Sequence, residues 1–366
     1  MKTRLVPIHE LGERDLRSWR ELAEGPLDPN PFFDPDFVLP AARGLGAEGE
    51  VGILVVEDAG GWRACLPVRR QSRWQHLPLP CVAAWVHEYC LLGSPLVRED
   101  GAAEALGAAV AAMRAMPGRA FAALPWVAGD GPLATALAEA LPQPIPYDDW
   151  HRATVHHHAG EDPLAGRVKG KHRRDFRRLA RGLEDDLGAP LQLVDRSAEP
   201  AALEAFLRLE AAGWKGRAGT AVASVPAHAE FVREASARFA ARGRLRLLFL
   251  EAGDHVAAAR LSLRAGDSDF CFKVAYDEGL ARFSPGRELE LRLLERLGDA
   301  GEPASMDSCT APDNELYNRL WPDRRRLATL AYRSPGALGA AAGPGLRAMA
   351  SVRDRRRRRR SRPAGR

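Results

Sequence analysis

The chain has 366 residues, of which 46% are hydrophobic and 28% charged, a length and composition that suit two soluble domains of roughly 150 residues each. No apolar run approaches the ~18–20 residues that cross a bilayer. The N-terminal MKTRLVPIHELGERD lacks a signal-type apolar core, and five scattered cysteines without a CxxC pair argue against a disulfide framework or a structural zinc. The expected compartment is therefore the cytoplasm. The net charge of +5 is unevenly placed: residues 353–366 hold nine arginines and one aspartate, a net of +8, which leaves −3 for residues 1–352.

In chain order, residues 11–25 and 31–45 carry helical apolar spacing. They are followed by 51-VGILVVEDAGGWRACLPVRRQSRW-74, an apolar strand, a Gly/Asp turn and an alternating strand. That is a hairpin signature. A strand is then expected over 82–92, a helix near 101–116, a strand over 120–127 and a helix near 131–141. Residues 156-HHH-158, with His151, lack the spacing and partners of a metal site, and no metal is expected. In 164-LAGRVKGKHRRDFRRLARGLEDDLG-188, Val168, His172, Phe176, Leu179 and Leu183 form one stripe. Lys169, Arg173, Arg174, Arg177, Arg178 and Arg181 cover much of the remainder. This basic helix reads as a linker, or as a cradle for phosphate or an acidic substrate.

The second half repeats the order. Helices over 201–213 and 227–242 precede a second hairpin, 245-LRLLFLEAGDHVAAARLSLRAGDSDF-270, about 194 residues after the first. A strand over 269–277, a loop over 280–288, a helix over 288–300, a strand over 304–309, a helix over 312–321 and a strand over 326–332 follow. Each half thus reads as an α+β unit with a mostly antiparallel sheet and flanking helices. Domains are expected at 1–160 and 191–333, joined by the basic helix of 161–190. The tail 334–366, rich in Gly, Ala, Pro and Arg, is expected to be disordered and able to contact an anionic surface.

Four stretches carry a family resemblance: 169-KGKHRRDFRRLARGLE-184, 208-RLEAAGWKGRAGT-220, 273-KVAYDEGLARFSPGRELELRLL-294 and 307-DSCTAPDNELYNRLW-321. In order and spacing the chain resembles the GNAT N-acetyltransferase superfamily, and within it the two-domain CelD-like acetyltransferases of polysaccharide biosynthesis, related to Fem-type peptidyltransferases. The resemblance implies tandem GNAT-like domains, with acetyl-CoA or another acyl-CoA held by the second and an amine acceptor, on a small molecule or a sugar-linked precursor. It places the pyrophosphate at 283-FSPGRE-288. There Ser284 could cap, Pro285 stiffens, Gly286 admits a close backbone approach, and Arg287 adds charge at a helix N-terminus. Only the central glycine fits the family's usual loop, and Glu288 stands where a small residue is usual. The resemblance further makes Asn314 a cofactor contact and Tyr317 the acid that protonates the leaving thiolate.

Asp277 and Asp307 are the strand-borne carboxylates nearest the expected centre, each a candidate base or equally a turn or cap residue. Trp214, Lys215 and Arg217 read as a substrate-side lid over the acyl or pantetheine arm, or as a helix stop with the indole packed back. Lys273 is a further substrate-side candidate on the central strand. Two alternatives keep their place beside the acyl-CoA reading: a Fem-type transferase using aminoacyl-tRNA, and a non-catalytic binding protein on the same scaffold.

Overall fold

The computed structural model describes residues 1–75, 77–141, 143–158 and 170–360. Residues 159–169, which include Lys169 and the start of the expected linker, lie outside the described residues, as do residues 361–366. The chain divides into two compact units, one of 1–38, 46–151 and 325–366, the other of 39–45 and 152–324.

In the first unit, β1 (Lys2–Pro7) and α1 (Glu13–Glu24) are followed by α2 (Pro35–Gly44), whose last residues count with the second unit. The expected hairpin is present as β2 (Val51–Asp58) and β3 (Gly61–Gln71), antiparallel from Val51↔Arg69 to Asp58↔Gly61. Then come β4 (Cys81–Ala84), β5 (Leu96–Val97), α3 (Ala102–Arg114), β6 (Phe121–Ala128), α4 (Gly131–Ala140) and β7 (Ile145–His156), along which the chain leaves this unit. The strand expected over 82–92 is only four residues long. Beyond Ala84 the chain turns, and Trp85, Tyr89 and Cys90 are buried without strand pairing.

The second unit contains α5 (Gly170–Leu187), β8 (Leu191–Asp195), α6 (Ala202–Ala212), the single turn α7 (Trp214–Arg217) and α8 (Pro226–Ala241). The second hairpin is β9 (Leu245–Ala252) and β10 (His255–Ala265), followed by β11 (Ser268–Tyr276), α9 (Pro285–Glu295), β12 (Ser305–Asp307) and α10 (Glu315–Leu320). Finally β13 (Asp323–Arg333) and α11 (Ala337–Arg360) return to the first unit. Among the described residues no helix is long and apolar enough to cross a membrane.

Three expectations about boundaries are corrected. First, α5 is part of the second unit rather than a linker: Phe176 is buried in one of its apolar clusters and Leu183 in another. Second, the strand that ends the second half by sequence pairs within the first unit, where β13 runs antiparallel to β6, Leu327↔Ala128 through Arg333↔Phe121. Third, residues 337–360 of the expected disordered tail form α11. Ala342 and Leu346 are buried with Phe121, Tyr147 and Ala331, and the Arg353 guanidinium bonds Asp148 at 2.7 Å. The small residues of this segment allow close packing of a helix that carries little apolar bulk.

The sheet of the first unit has the order β1-β2-β3-β4-β6-β13, with β5 beside β3, and the second has β12-β11-β10-β9-β8 with the end of β7 on β12. Both are mixed sheets flanked by helices. In the second, β11 and β12 are parallel, joined through α9, but their pairing covers only Ser268↔Ser305 to Phe270↔Asp307. Past Phe270, β11 continues to Tyr276 with no partner in β12. Past Asp307, the chain turns through Cys309, whose φ of 52° lies in the left-handed region. The Cys309 N–H donates to Asp307 Oδ1 at 2.9 Å, which holds that turn.

Candidate functional site

The divergence of β11 from β12 borders a cavity of about 480 Å³ lined by Val274, Tyr276, the start of α9 and one face of α10. Its position follows from local sequence. Ser284 ends a 3-10 turn in the left-handed region at φ 56° and leads into Pro285 at the first position of α9, where a missing N–H costs nothing. The N–H groups of Arg287 and Glu288 turn back onto the Ser284 carbonyl at 3.0 and 3.2 Å. The Gly286 N–H is thereby left as the open donor of the first turn, where the helix dipole favours an anion. A Cβ on Gly286 would meet only Tyr276 Cδ1 at 3.8 Å, so a methyl fits the fold and would project into open space.

Two guanidinium groups add positive charge. Arg287 stacks on Phe176 of α5 with its carbon 4.3 Å from the ring centre, and its Nε is buried with no hydrogen-bond partner among the described residues. Burial lowers the Arg287 pKa, Asp175 and Glu288 oppose this, and Arg319 lowers it further. Arg319 lines the same cavity from α10. Two cations with one orphaned N–H beside a helix N-terminus form a site that an anion would neutralise.

Tyr317 lines the cavity from α10 as well, 4% exposed, with its ring against Trp321. Its hydroxyl oxygen lies within hydrogen-bond distance of Glu290 Oε1, at 2.7 Å, and 3.6 Å from Cys271 Sγ. Burial raises the Tyr317 pKa well above the usual phenol value, with nearby Cys271 and Glu290 adding to this. Burial also pushes the Cys271 thiol up to about 11, so it stays a thiol at neutral pH. Asn314 is the N-cap of α10, its Oδ1 accepting from the Tyr317 N–H at 3.3 Å, and it lines the cavity as well.

Of the residues singled out by sequence, Ser284, Pro285, Gly286, Arg287, Asn314 and Tyr317 meet around this one cavity. The others do not line it. Asp277 caps the 3-10 turn by accepting from the Gly279 N–H at 2.8 Å and lies 2.9 Å from His255 Nε2. Asp307 is 3% exposed and paired in two places with Arg152, at 2.6 and 2.7 Å. Both carboxylates therefore already have structural partners. Lys273 stands on β11 opposite Leu261 of β10, with its ammonium 5.9 Å from the Phe272 ring.

The Trp214–Arg217 turn is fastened elsewhere. Lys215 Nζ donates to Glu210 Oε1 at 3.0 Å and to the Val274 carbonyl at 2.8 Å. Glu278 accepts from both the Trp214 N–H and the Arg217 guanidinium. The Trp214 side chain does not pack back on the helix: the residue is 52% exposed. Gly216 is obligatory here, because a Cβ would lie 1.8 Å from the Ala211 carbonyl oxygen.

Sequence reasoning missed Glu290 and Arg260. Glu290 sits in a helix that mixes leucine with charge, PGRELELRLLE, where a glutamate reads as solvent-facing, and Arg260 sits in a strand, where an arginine reads as outward. Both are 0% exposed and joined at 2.9 Å. One signal was available: Arg260 is the single charge in the mostly apolar run 256-VAAARLSL-263.

Residues 170–317 match the family described as Acetyltransferase (GNAT) domain. No curated protein matches the sequence. Among solved structures, FemX aligns over 91% of this chain and 97% of its own, at 10% identity and a TM-score of 0.57. The C-terminal domain of a putative lysylphosphatidylglycerol synthetase from Agrobacterium fabrum aligns over 92% and 96%, at 14% identity and a TM-score of 0.51. L-PGS from Bacillus licheniformis aligns over 93% and 97%, at 12% identity and a TM-score of 0.50. At these identities the structural likeness concerns the fold. The chain carries an acetyltransferase-type (GNAT) domain, which marks it as an acyltransferase.

Proposed function

We propose, from the acetyltransferase domain match over 170–317, that the chain transfers an acyl group from acyl-CoA directly to an amine. The observation that carries this is the cavity itself. The open N-terminal turn of α9 with Arg287 and Arg319 forms an anion cradle, and a buried phenol lines the same cavity. Bound there, acyl-CoA would supply the thioester. The Gly286 N–H and the two guanidiniums would hold its phosphates, and Tyr317 would protonate the departing thiolate. Acetyl-CoA is the first donor to try. An amine on a sugar-linked precursor, as in CelD-like pathways, is the first acceptor class, and turnover in the cytoplasm suits both.

Calorimetric titration of acetyl-CoA into the wild type and into Gly286→Ala and Gly286→Glu variants tests the reading. Binding by the wild type, weakened by the methyl and abolished by the carboxylate, is expected. Absence of binding by a folded wild type would sink acetyl-CoA as the donor.

A second reading, aminoacyl transfer from tRNA, is favoured by one observation: Arg174, Arg177 and Arg181 lie exposed along α5. The Arg353–Arg366 run gives a further anionic contact in either case. The tRNA reading calls for binding that falls steeply with salt and is lost when the three α5 arginines become serine.

A further inference from the structure

Behind the cavity wall lies a connected set of buried polar groups that Tyr317 alone does not account for. Glu290 Oε1 lies 2.7 Å from the Tyr317 hydroxyl, and Glu290 Oε2 accepts from Arg260 Nη1 at 2.9 Å. Arg260 Nε donates to Ser262 Oγ at 2.9 Å, and its Nη2 lies 3.5 Å from Asp269. Arg246 of β9 lies 3.6 Å from the same aspartate and pairs with Glu302. Glu290, Arg260 and Asp269 are each 0% exposed. Among the described residues, the titratable groups around Glu290 are thus Arg260 from β10, Asp269 and Cys271 from β11, and Tyr317 from α10. Arg246 acts on it through Asp269. Toward α9, α5 and β8 contribute the apolar Phe176, Leu183 and Leu193.

A phenol has a single proton. If Glu290 is ionised, that proton points into the core, and Tyr317 offers the cavity only lone pairs. If Glu290 is protonated, it donates to the Tyr317 oxygen, and the phenolic proton is free to point outward. Glu290 and Asp269, both fully buried, flank Arg260, and Arg246 on the far side of Asp269 is itself paired with Glu302; burial and the like charge of Asp269 favour the protonated form of Glu290. Burial raises the Glu290 pKa, Arg260 and the Tyr317 hydrogen bond oppose it, and Asp269 adds to it.

We infer that Glu290 is a positioning residue that holds a reserve proton behind Tyr317, aiming the phenolic proton at the cavity and replacing it during turnover. The inference rests on the reading of Tyr317 as the acid. In the step, the C–S bond of the tetrahedral intermediate breaks and the sulfur takes the Tyr317 proton. The phenol oxygen takes the Glu290 proton, and Glu290 is left ionised against Arg260. The proton lost by the attacking amine goes to solvent, and solvent later returns one to Glu290. The products are an amide and a free thiol.

The test has two arms on the full chain. Infrared difference spectra of wild type against Glu290→Gln should show a protonated-carboxyl band at neutral pH that is absent from the variant. The band should shift in frequency in Tyr317→Phe, which removes its hydrogen-bond partner and serves if Glu290→Gln fails to fold. In the kinetic arm, wild-type kcat should fall on the basic side in step with loss of that band. Glu290→Gln, which can donate to the phenol at every pH but has no proton to give, should be about 100-fold slower and lack the basic limb. Glu290→Asp should restore the limb in part. No carboxyl band at neutral pH overturns the inference, as does a Glu290→Gln profile that is lower but unchanged in shape. The infrared arm needs no donor, so a failed acetyl-CoA titration would remove the acyl-CoA reading and leave this question to be decided by the band alone.

Discussion

Replacing Lys215 by methionine distinguishes a lid cation from an internal tie. Methionine keeps the apolar stem and removes the ammonium. The Glu210 side chain is fully buried, while the Lys215 side chain is 24% exposed. The lost partner leaves a buried carboxylate that holds, among the described residues, the Val222 N–H at 2.9 Å. Breaking a buried ion pair on one side costs about 3–5 kcal/mol, and partial access of water at the lysine end places the expected loss near the low end, about 3 kcal/mol. The Val274 carbonyl also loses its donor, but it lies beside the cavity and can take a water. Hydrogen exchange of the α6 and β11 amides in rising urea reads this region without requiring both units to unfold together. Glu210→Gln should cost less than Lys215→Met, and the double variant should recover about 2 kcal/mol relative to the sum of the single changes. A Lys215→Met protein with unaltered exchange but abolished turnover would refute the tie and return Lys215 to the substrate side.

Glu278 should make the Trp214 turn pH-sensitive. Its bond to Arg217, and then to the Trp214 N–H, holds its pKa below the usual glutamate value. A depressed folded pKa contributes stability above the unfolded value of about 4.3 and loses it as pH falls through the lower folded value. Trp214 emission should therefore change only below about pH 4 in the wild type, and a Glu278→Gln protein should show the altered emission already at neutral pH. Identical spectra for the two proteins would remove Glu278 from the turn. Leu346→Ala should destabilise the first unit by about 2–5 kcal/mol in thermal unfolding, since Leu346 is fully buried. A change of a few tenths of a kcal/mol would mean that α11 is not docked in solution.

Much of the second unit was readable because its signals are local. The two hairpins announce themselves by apolar strands around Gly/Asp turns, and the phosphate-type loop by Ser284-Pro285-Gly286 ahead of a leucine-rich helix. What escaped depends on pairing between distant segments. Strand β7, IPYDDWHRATVH, is polar enough in sequence to be passed over, and neighbours supplied by β12 and β13 make it a strand. Strand β13 looks like the natural end of the second half, and nothing in RRLATLAYR says that its partner is β6. The buried pair of Glu290 and Arg260 was hidden for a related reason: each charge is tolerable only because the other arrives from a different element.

The placement of β13 bears on synthesis. Strand β6 pairs on one side with β4, through Cys81↔Phe121 to Ala83↔Ala123, and on the other with β13. The second partner is made only when the ribosome reaches Arg333, roughly 200 residues after Ala128, or about 10–40 s at ordinary elongation rates. During that interval an apolar strand edge, FAALPWVA, has no cover. The contiguous core of the second unit, 152–324, can close first. The nascent chain then finishes its beginning last, and a stop codon before β13 would leave β6 an open template for aggregation.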